Sequence, residues 1–464
     1  MANSTITLPT LALAVGVLIA AGILLWLLIR REPPQAASAP GAAAIGDDMA
    51  PAVLDAMAAL GTAMIDSGYP VGLVRGALDD MAKVNGLTSA EAVVFPTSIL
   101  VSSGDAGSAQ TRAVTAGNRA AMLYQVYAVD RIAGVARTRP GSADWVRRQL
   151  TRAKDLPAPF TGPQRVAAYG LLSAALSVLL GSSWPGVIAA GVLGIGVGAL
   201  LLGTERLEAA YQALVVVAAS FGVGVIMLTV AHLIDPAVLP AIVAPLIMLL
   251  PGGLLTIGVI ELATGHIVSG AARLAAGAIR LLLLATGIVA AAALIGVPAI
   301  TATQWPLGPI APWVAVAVFG VGISIHQCAR PSSIGWILLV LYVAYGAQVL
   351  GDVFFDGVLS AMVGAAAMTP VAVVVARQRT GPPALVSFLP AFWLLVPGAL
   401  GLIGVASVLD GASSGSDTII TTIATMVSIA LGVLLGLVVS GSARGFRAAP
   451  TADWMEETAE GGSR

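Results

Sequence analysis

Two short clusters hold the residue types that could do chemical work in this chain: Leu249-Leu250-Pro251-Gly252-Gly253 and Leu394-Leu395-Val396-Pro397-Gly398. The first interrupts an apolar stretch from about 237 to 264, the second one from about 383 to 408. Proline removes a backbone donor and clashes with the preceding turn, and glycine loosens the backbone, so each cluster should stop or unwind a helix. A half-helix that restarts after the break points N–H groups without partners and a partial positive charge into the gap, which suits an anion. In hydrocarbon such exposed backbone survives only against protein or water. Two breaks at corresponding places in two halves of a membrane protein point to a transporter's substrate site, while a pair of proline kinks is the plainer account of the same letters.

Ionisable groups near the first break are few. Glu261 and Arg273 flank a turn, where they read either as a pair that pins it or as a gate or proton site, because intramembrane carboxylates often relay protons. Arg280 lies on the same helix face as Arg273 but deeper, and is expected to face the bundle interior, with Glu261 its nearest counter-charge in sequence. Other chemistry has little to work with. Cys328 is the sole cysteine, the histidines are His232, His266 and His326, and no HExxH or Ser/His/Asp spacing occurs. Asp352 and Asp356 could share a helix face, yet they lack further ligands and read as solvated loop charge. No metal, cofactor or enzymatic activity is expected. The absence of a GxxxxGK[ST] motif argues against ATP as the driving force, and the glycine runs Gly191 to Gly198 and Gly222-x-Gly224 read as helix-packing surfaces.

The elements that position these residues follow from composition. A chain of 464 residues with 58% hydrophobic and 10% charged residues is no soluble globule, since soluble domains run at about 25% charged. It reads as a polytopic α-helical protein of the plasma membrane. Residues 1–31 form an apolar run ending in Arg30-Arg31, expected to be a retained anchor with its N-terminus outside. A Pro- and Ala-rich linker, 32–45, leads to a small cytoplasmic α/β domain, 46–165. Helices are predicted over 51–66 and 70–85, a strand over 92–102 with Pro96 confining it to an edge or bulge, a partner strand over 110–116, then helices over 118–137 and 142–155. Residues 32–100 carry eight acidic and two basic side chains, and residues 101–165 four acidic and ten basic. Sparse aromatics and the lack of any nucleic-acid motif make anionic membrane lipid the simpler partner for that basic surface, with no nucleic acid.

Ten further spans are predicted, over 166–181, 186–203, 211–230, 237–264, 268–295, 310–328, 331–351, 355–376, 383–408 and 417–440. With the soluble domain cytoplasmic, the inside loops and flanks hold Arg206, Arg273, Arg330, Arg377, Arg379, Arg444 and Arg447. The outside ones hold Asp235, Asp352, Asp356, Asp410 and Asp417 and no Lys or Arg, which is the positive-inside pattern. The Pro- and Gly-rich segment 298–309, external, divides the bundle into two five-helix repeats, 166–297 and 310–441, ahead of a cytoplasmic tail, 442–464. Five is odd, so the repeats enter from opposite sides and are inverted. The breaks then fall in the fourth helix of each.

The pattern Pro251-Gly252, Glu261-Leu262, Gly265, Ser269-Gly270 and Arg273 resembles the threonine/serine exporter family, here with both membrane halves fused in one chain. Leu60-Gly61, Ser67-Gly68, Arg75, Asn85-Gly86-Leu87 and Phe95-Pro96-Thr97 are similar to the family's soluble region, and Leu395-Val396-Pro397-Gly398 to a motif of its second half. Gly76 stands where the family often has an acidic residue. The resemblance implies an amino-acid antiporter that exports threonine and serine, with protons as the coupling ion and a homo-oligomer compatible with it. The substrate would lie at a midplane site made by Pro251, Gly252, Gly253 and Leu254 with Pro397, Gly398 and Ala399, its carboxylate on the half-helix N-termini. Thr256 could meet its hydroxyl or ammonium group, although a threonine bonded to its own helix is the plainer account. Glu261, Arg273 and Arg280 would serve as gate or proton-coupling residues. A membrane sensor, with the bundle binding a ligand and the soluble domain signalling without flux, is the alternative.

Overall fold

The computed structural model of the chain describes residues 8–29, 50–104, 110–117, 120–205, 207, 209–233, 236–297, 307–355, 357–378, 380–395 and 415–440. They form two compact units. One comprises the described residues of Leu28–Pro157 and Val373–Val386, and the other those of Met1–Leu27, Ala158–Ala372 and Ser387–Gly441.

The first unit contains α2 (Ala50–Asp66), α3 (Val71–Val84), β1 (Glu91–Val94), β2 (Ser98–Ser103), β3 (Gln110–Thr115), α4 (Leu123–Ala136) and α5 (Ala143–Lys154). The strands make one antiparallel sheet in the order β1-β2-β3. Along β2, Ile99 and Val101 are buried and Leu100 is exposed, the alternation of a sheet with one covered face. The covering helix is α2, whose Val53, Leu54, Met57, Leu60 and Met64 share a buried stripe at helical spacing. Both helical exits follow the sequence reading, since Gly68 and Gly86 take positive φ values of 84° and 71°. One expectation is corrected: residues 92–102 form two strands. Phe95 N–H donates to the Ser98 carbonyl at 2.8 Å across Pro96-Thr97, so a proline whose fixed φ and missing N–H suit a turn makes a hairpin loop. The fourth helix also begins later than predicted. Met122 is its N-cap, and its N–H is taken by the Gln125 side chain at 3.1 Å.

Among its described residues the second unit holds no strand, and three of its helices extend into the first unit. It runs from α1 (Leu8–Ile29) to α6 (Gly162–Leu179), α7 (Trp184–Thr204), α8 (Ala209–Leu233), a 3₁₀ arm (Pro236–Leu249), α9 (Gly252–Ala263) and α10 (Ile267–Ile295). Then come α11 (Ala311–His326), α12 (Ile334–Phe354), α13 (Gly357–Ala376), α14 (Ala384–Leu394) and α15 (Gly415–Val439). Among the described residues six helices are long and apolar enough to cross a membrane, or up to seven if the bent pair of 3₁₀ arm and α9 is one span. The chain is thus a multi-pass helical membrane protein. Close packing is carried by small residues: at Gly198 a Cβ would stand 2.8 Å from the Tyr169 Cβ of α6, and at Gly224 2.7 Å from the Ala291 Cβ of α10.

Candidate functional site

The first break exists because its leading arm cannot complete an α-helix. Pro236, Pro240 and Pro245 supply no N–H, and the whole stretch to Leu249 is wound as a 3₁₀ helix, a form seldom sustained so long. Leu250 N–H is shared between the Leu246 and Ile247 carbonyls at 3.2 Å each, and Pro251 then caps α9. The axis turns by 63° between Ala241–Leu249 and Gly252–Ala263. Of the N–H groups that open α9, that of Leu255 reaches the Pro251 carbonyl at 3.0 Å; those of Gly252, Gly253 and Leu254 find no backbone acceptor among the described residues.

Thr256 lies one turn into α9. It is 0% exposed, and its Oγ1 has no hydrogen-bond partner among the described residues. The bond to its own helix that sequence favoured is therefore not made. A buried hydroxyl left without a partner costs about 1–3 kcal/mol, so this one is held where a ligand oxygen or nitrogen could satisfy it. Gly252 is buried, whereas Gly253 and Leu254 are half-buried, which leaves the break open on one side.

The far end of α9 is finished quite differently. Gly265 at φ 85° makes the turn into α10, and His266 N–H donates to the Glu261 carbonyl at 2.8 Å. Gly258 and Gly270 let the two helices touch, since a Cβ on Gly270 would stand 2.6 Å from the Gly258 carbonyl oxygen. At that crossing Glu261, 1% exposed, accepts on Oε2 from the Ser269 hydroxyl at 2.6 Å and from Arg273 Nε at 3.1 Å. Arg273 Nη2 is buried and has no partner among the described residues. The spacing of Glu261, Gly265, Ser269-Gly270 and Arg273 is thus the plan of one helical hairpin. Arg280 is half-buried and enters no ion pair among the described residues, so Arg273 is the partner Glu261 takes.

Residues outside the expected set hold the leading arm. Tyr169 of α6, fully buried, donates from its hydroxyl to the Pro245 carbonyl at 2.9 Å and stands edge-on to His326 of α11, ring centroids 4.7 Å apart. Arg165 Nε donates to the His326 carbonyl at 3.2 Å and its Nη2 to Glu205 Oε1 at 2.6 Å. Gln327 Nε2 reaches Met248 Sδ at 3.2 Å. Tyrosine and arginine amid apolar spans were the available signal, but their partners lie in another part of the chain. Trp393 of α14 comes beside the break, its indole nitrogen 4.0 Å from where a Cβ on Gly253 would be. Pro397, Gly398 and Ala399, the expected second break, lie outside the described residues. No cluster of His, Cys, Asp or Glu fit to hold a metal occurs among the described residues.

The family model described as "Putative threonine/serine exporter" matches residues 55–295. The chain belongs to the threonine/serine exporter family. Comparison with curated proteins and with solved structures gives no match. For this exporter-family chain the matched residues take in the sheet unit from α2 onward, the first break and the Glu261-to-Arg273 hairpin, so every bond of that hairpin lies inside the family region. Trp393 and helices α11 to α15 lie beyond it.

Proposed function

We propose that the chain exports small neutral amino acids, threonine and serine foremost, from the cytoplasm by secondary active transport driven by the proton gradient. Family membership supplies the substrate class, and the observation that carries the site is Thr256. Among the described residues its buried hydroxyl has no partner and sits one turn from three N–H groups without backbone acceptors, at a 63° break in an apolar path. An amino acid brings a carboxylate for the N-terminus of α9 and a hydroxyl or ammonium group for Thr256. The site lies inside the membrane, with Pro251, Gly252, Gly253 and Leu254 on one side and Pro397, Gly398 and Ala399 on the other. Glu261 and Arg273 close or couple the pathway at the α9–α10 turn, and Arg280 lies on the same route.

In this reading ten spans form two inverted five-helix repeats, with the sheet unit and C-terminus cytoplasmic and the N-terminus outside. The charge distribution supports that orientation, because the arginines of the loops gather on one side and the aspartates on the other. Purified protein in proteoliposomes should move labelled threonine, faster with an imposed pH difference than without. Intact protein that moves none under any gradient would overturn the assignment.

A further inference from the structure

The first break has a second wall. Among the described residues, a Cβ built on Gly253 would meet one atom within 4 Å besides its chain neighbours and its own helix backbone, the Trp393 indole nitrogen at 4.0 Å. Glycine leaves that position empty, so a space about one atom deep separates the start of α9 from the indole edge. Polar groups around it, all among the described residues, can donate. Among the described residues the backbone N–H groups of Gly252, Gly253 and Leu254 have no backbone acceptor, and the Thr256 hydroxyl, 0% exposed, has no partner. Trp393 likewise makes no hydrogen bond among the described residues, and an indole N–H can only donate. Cα–Cβ bonds in a helix lean toward its N-terminus, which sets the Thr256 side chain over the Gly252-Gly253 turn. Donors from two helices around one narrow gap suit an oxygen that accepts from both, at about 2.9 Å from each nitrogen.

Resting on the site assigned under the proposed function, we propose that Trp393 is a substrate-contacting residue. Its indole N–H and the N–H groups opening α9 share the carboxylate of the transported amino acid across the gap left by Gly253. The absent side chain at 253 is then a specificity feature, because it reserves the volume a carboxylate oxygen needs. Phe392, buried and stacked on Phe388 with ring centroids 5.7 Å apart, fixes the turn of α14 that carries Trp393.

The test uses the full chain in proteoliposomes, with initial rates of labelled threonine measured over a range of concentrations. Trp393→Phe keeps an aromatic ring and removes the donor; it should raise KM about tenfold and leave the maximal rate within about twofold. Wild-type transport should be inhibited by unlabelled threonine about tenfold better than by threoninol, which lacks the carboxylate, and W393F should lose that preference. Gly253→Ala fills the gap from the opposite side without a backbone penalty, since alanine is the better helix former. It should keep or raise the thermal unfolding midpoint while abolishing threonine transport, so the proposal stays testable even if W393F fails to fold. A folded W393F or G253A with wild-type KM and wild-type discrimination overturns this role for Trp393 and leaves the exporter reading standing. A wild-type protein that moves no threonine at all takes both down.

Discussion

The two ends of α9 are built to opposite rules within 12 residues. At its C-terminal end the Glu261 carboxylate is matched by a hydroxyl and a guanidinium, and two glycines bring α10 into backbone contact. At its N-terminal end a threonine hydroxyl is buried and, among the described residues, neither it nor the first backbone N–H groups find a partner in the protein's hydrogen bonding. Side chains at the first end bond one another and hold the hairpin, with Arg273 Nη2 alone of that group left without a partner among the described residues. Those at the second are held ready for something else, at a cost to stability that selection for folding alone would remove.

If the contrast is real, substitutions at the closed end should cost stability and those at the open end should cost transport. The largest effect is expected at Arg273→Ala, which strands a buried carboxylate and should lose about 3–5 kcal/mol, read as a drop in the thermal unfolding midpoint of detergent-purified protein. The double variant Glu261→Gln with Arg273→Gln should recover part of that loss; no recovery would mean the pair is not the cause. Asp130 of the sheet unit offers a second buried carboxylate, bonded by the Tyr69 hydroxyl, while the nearby Arg137 pairs with Asp80 at 3.5 Å. Burial, only partly offset by the Tyr69 bond and by Arg137, raises its pKa from 3.8 to about 6. The folded state therefore keeps a proton that the unfolded chain releases. The resulting stability, on the order of 3 kcal/mol, is complete below about pH 4, declines as pH rises to about 6 and is flat above that. Hydrogen exchange of α4 in the full chain should follow this slope, and Asp130→Asn should abolish it.

Smaller effects separate the two ends more sharply. Ser269→Ala removes a hydrogen bond to a charged acceptor and should cost about 1.5–3 kcal/mol. Gly270→Ala forces a methyl against the Gly258 carbonyl and should cost about 1–3 kcal/mol. Thr256→Val deletes a hydroxyl that bonds nothing among the described residues, so its unfolding midpoint should hold or rise by up to a few degrees while threonine transport falls at least tenfold. A Thr256→Val protein as destabilised as Ser269→Ala would erase the difference between the ends.

The letters disclosed the break, the hairpin and the helical character, because prolines, glycines and isolated charges in apolar sequence have few uses. Glu261 and Arg273 were legible as a pair for the same reason, being nearest neighbours across one turn. Ser269 was visible only as a motif letter, and its role needed the crossing of α9 with α10. Tyr169 and Trp393 were not legible. Each acts on the break from a helix remote in sequence, and an aromatic residue in a span normally needs no explanation beyond packing. Pro96 was read correctly as a disruption and assigned to the wrong one, since a bulge and a two-residue turn draw on the same missing N–H.

The 3₁₀ arm has a mechanical consequence. Its 14 residues, at roughly 2.0 Å each, reach about 28 Å, where an α-helix of the same length would reach about 21 Å. Pro240 and Pro245 carry no N–H in either form, and Tyr169 bonds the arm at the Pro245 carbonyl, so the arm stands as an extended spacer braced at its side. It delivers the chain to the Leu250-Pro251 corner, where the donors of α9 begin.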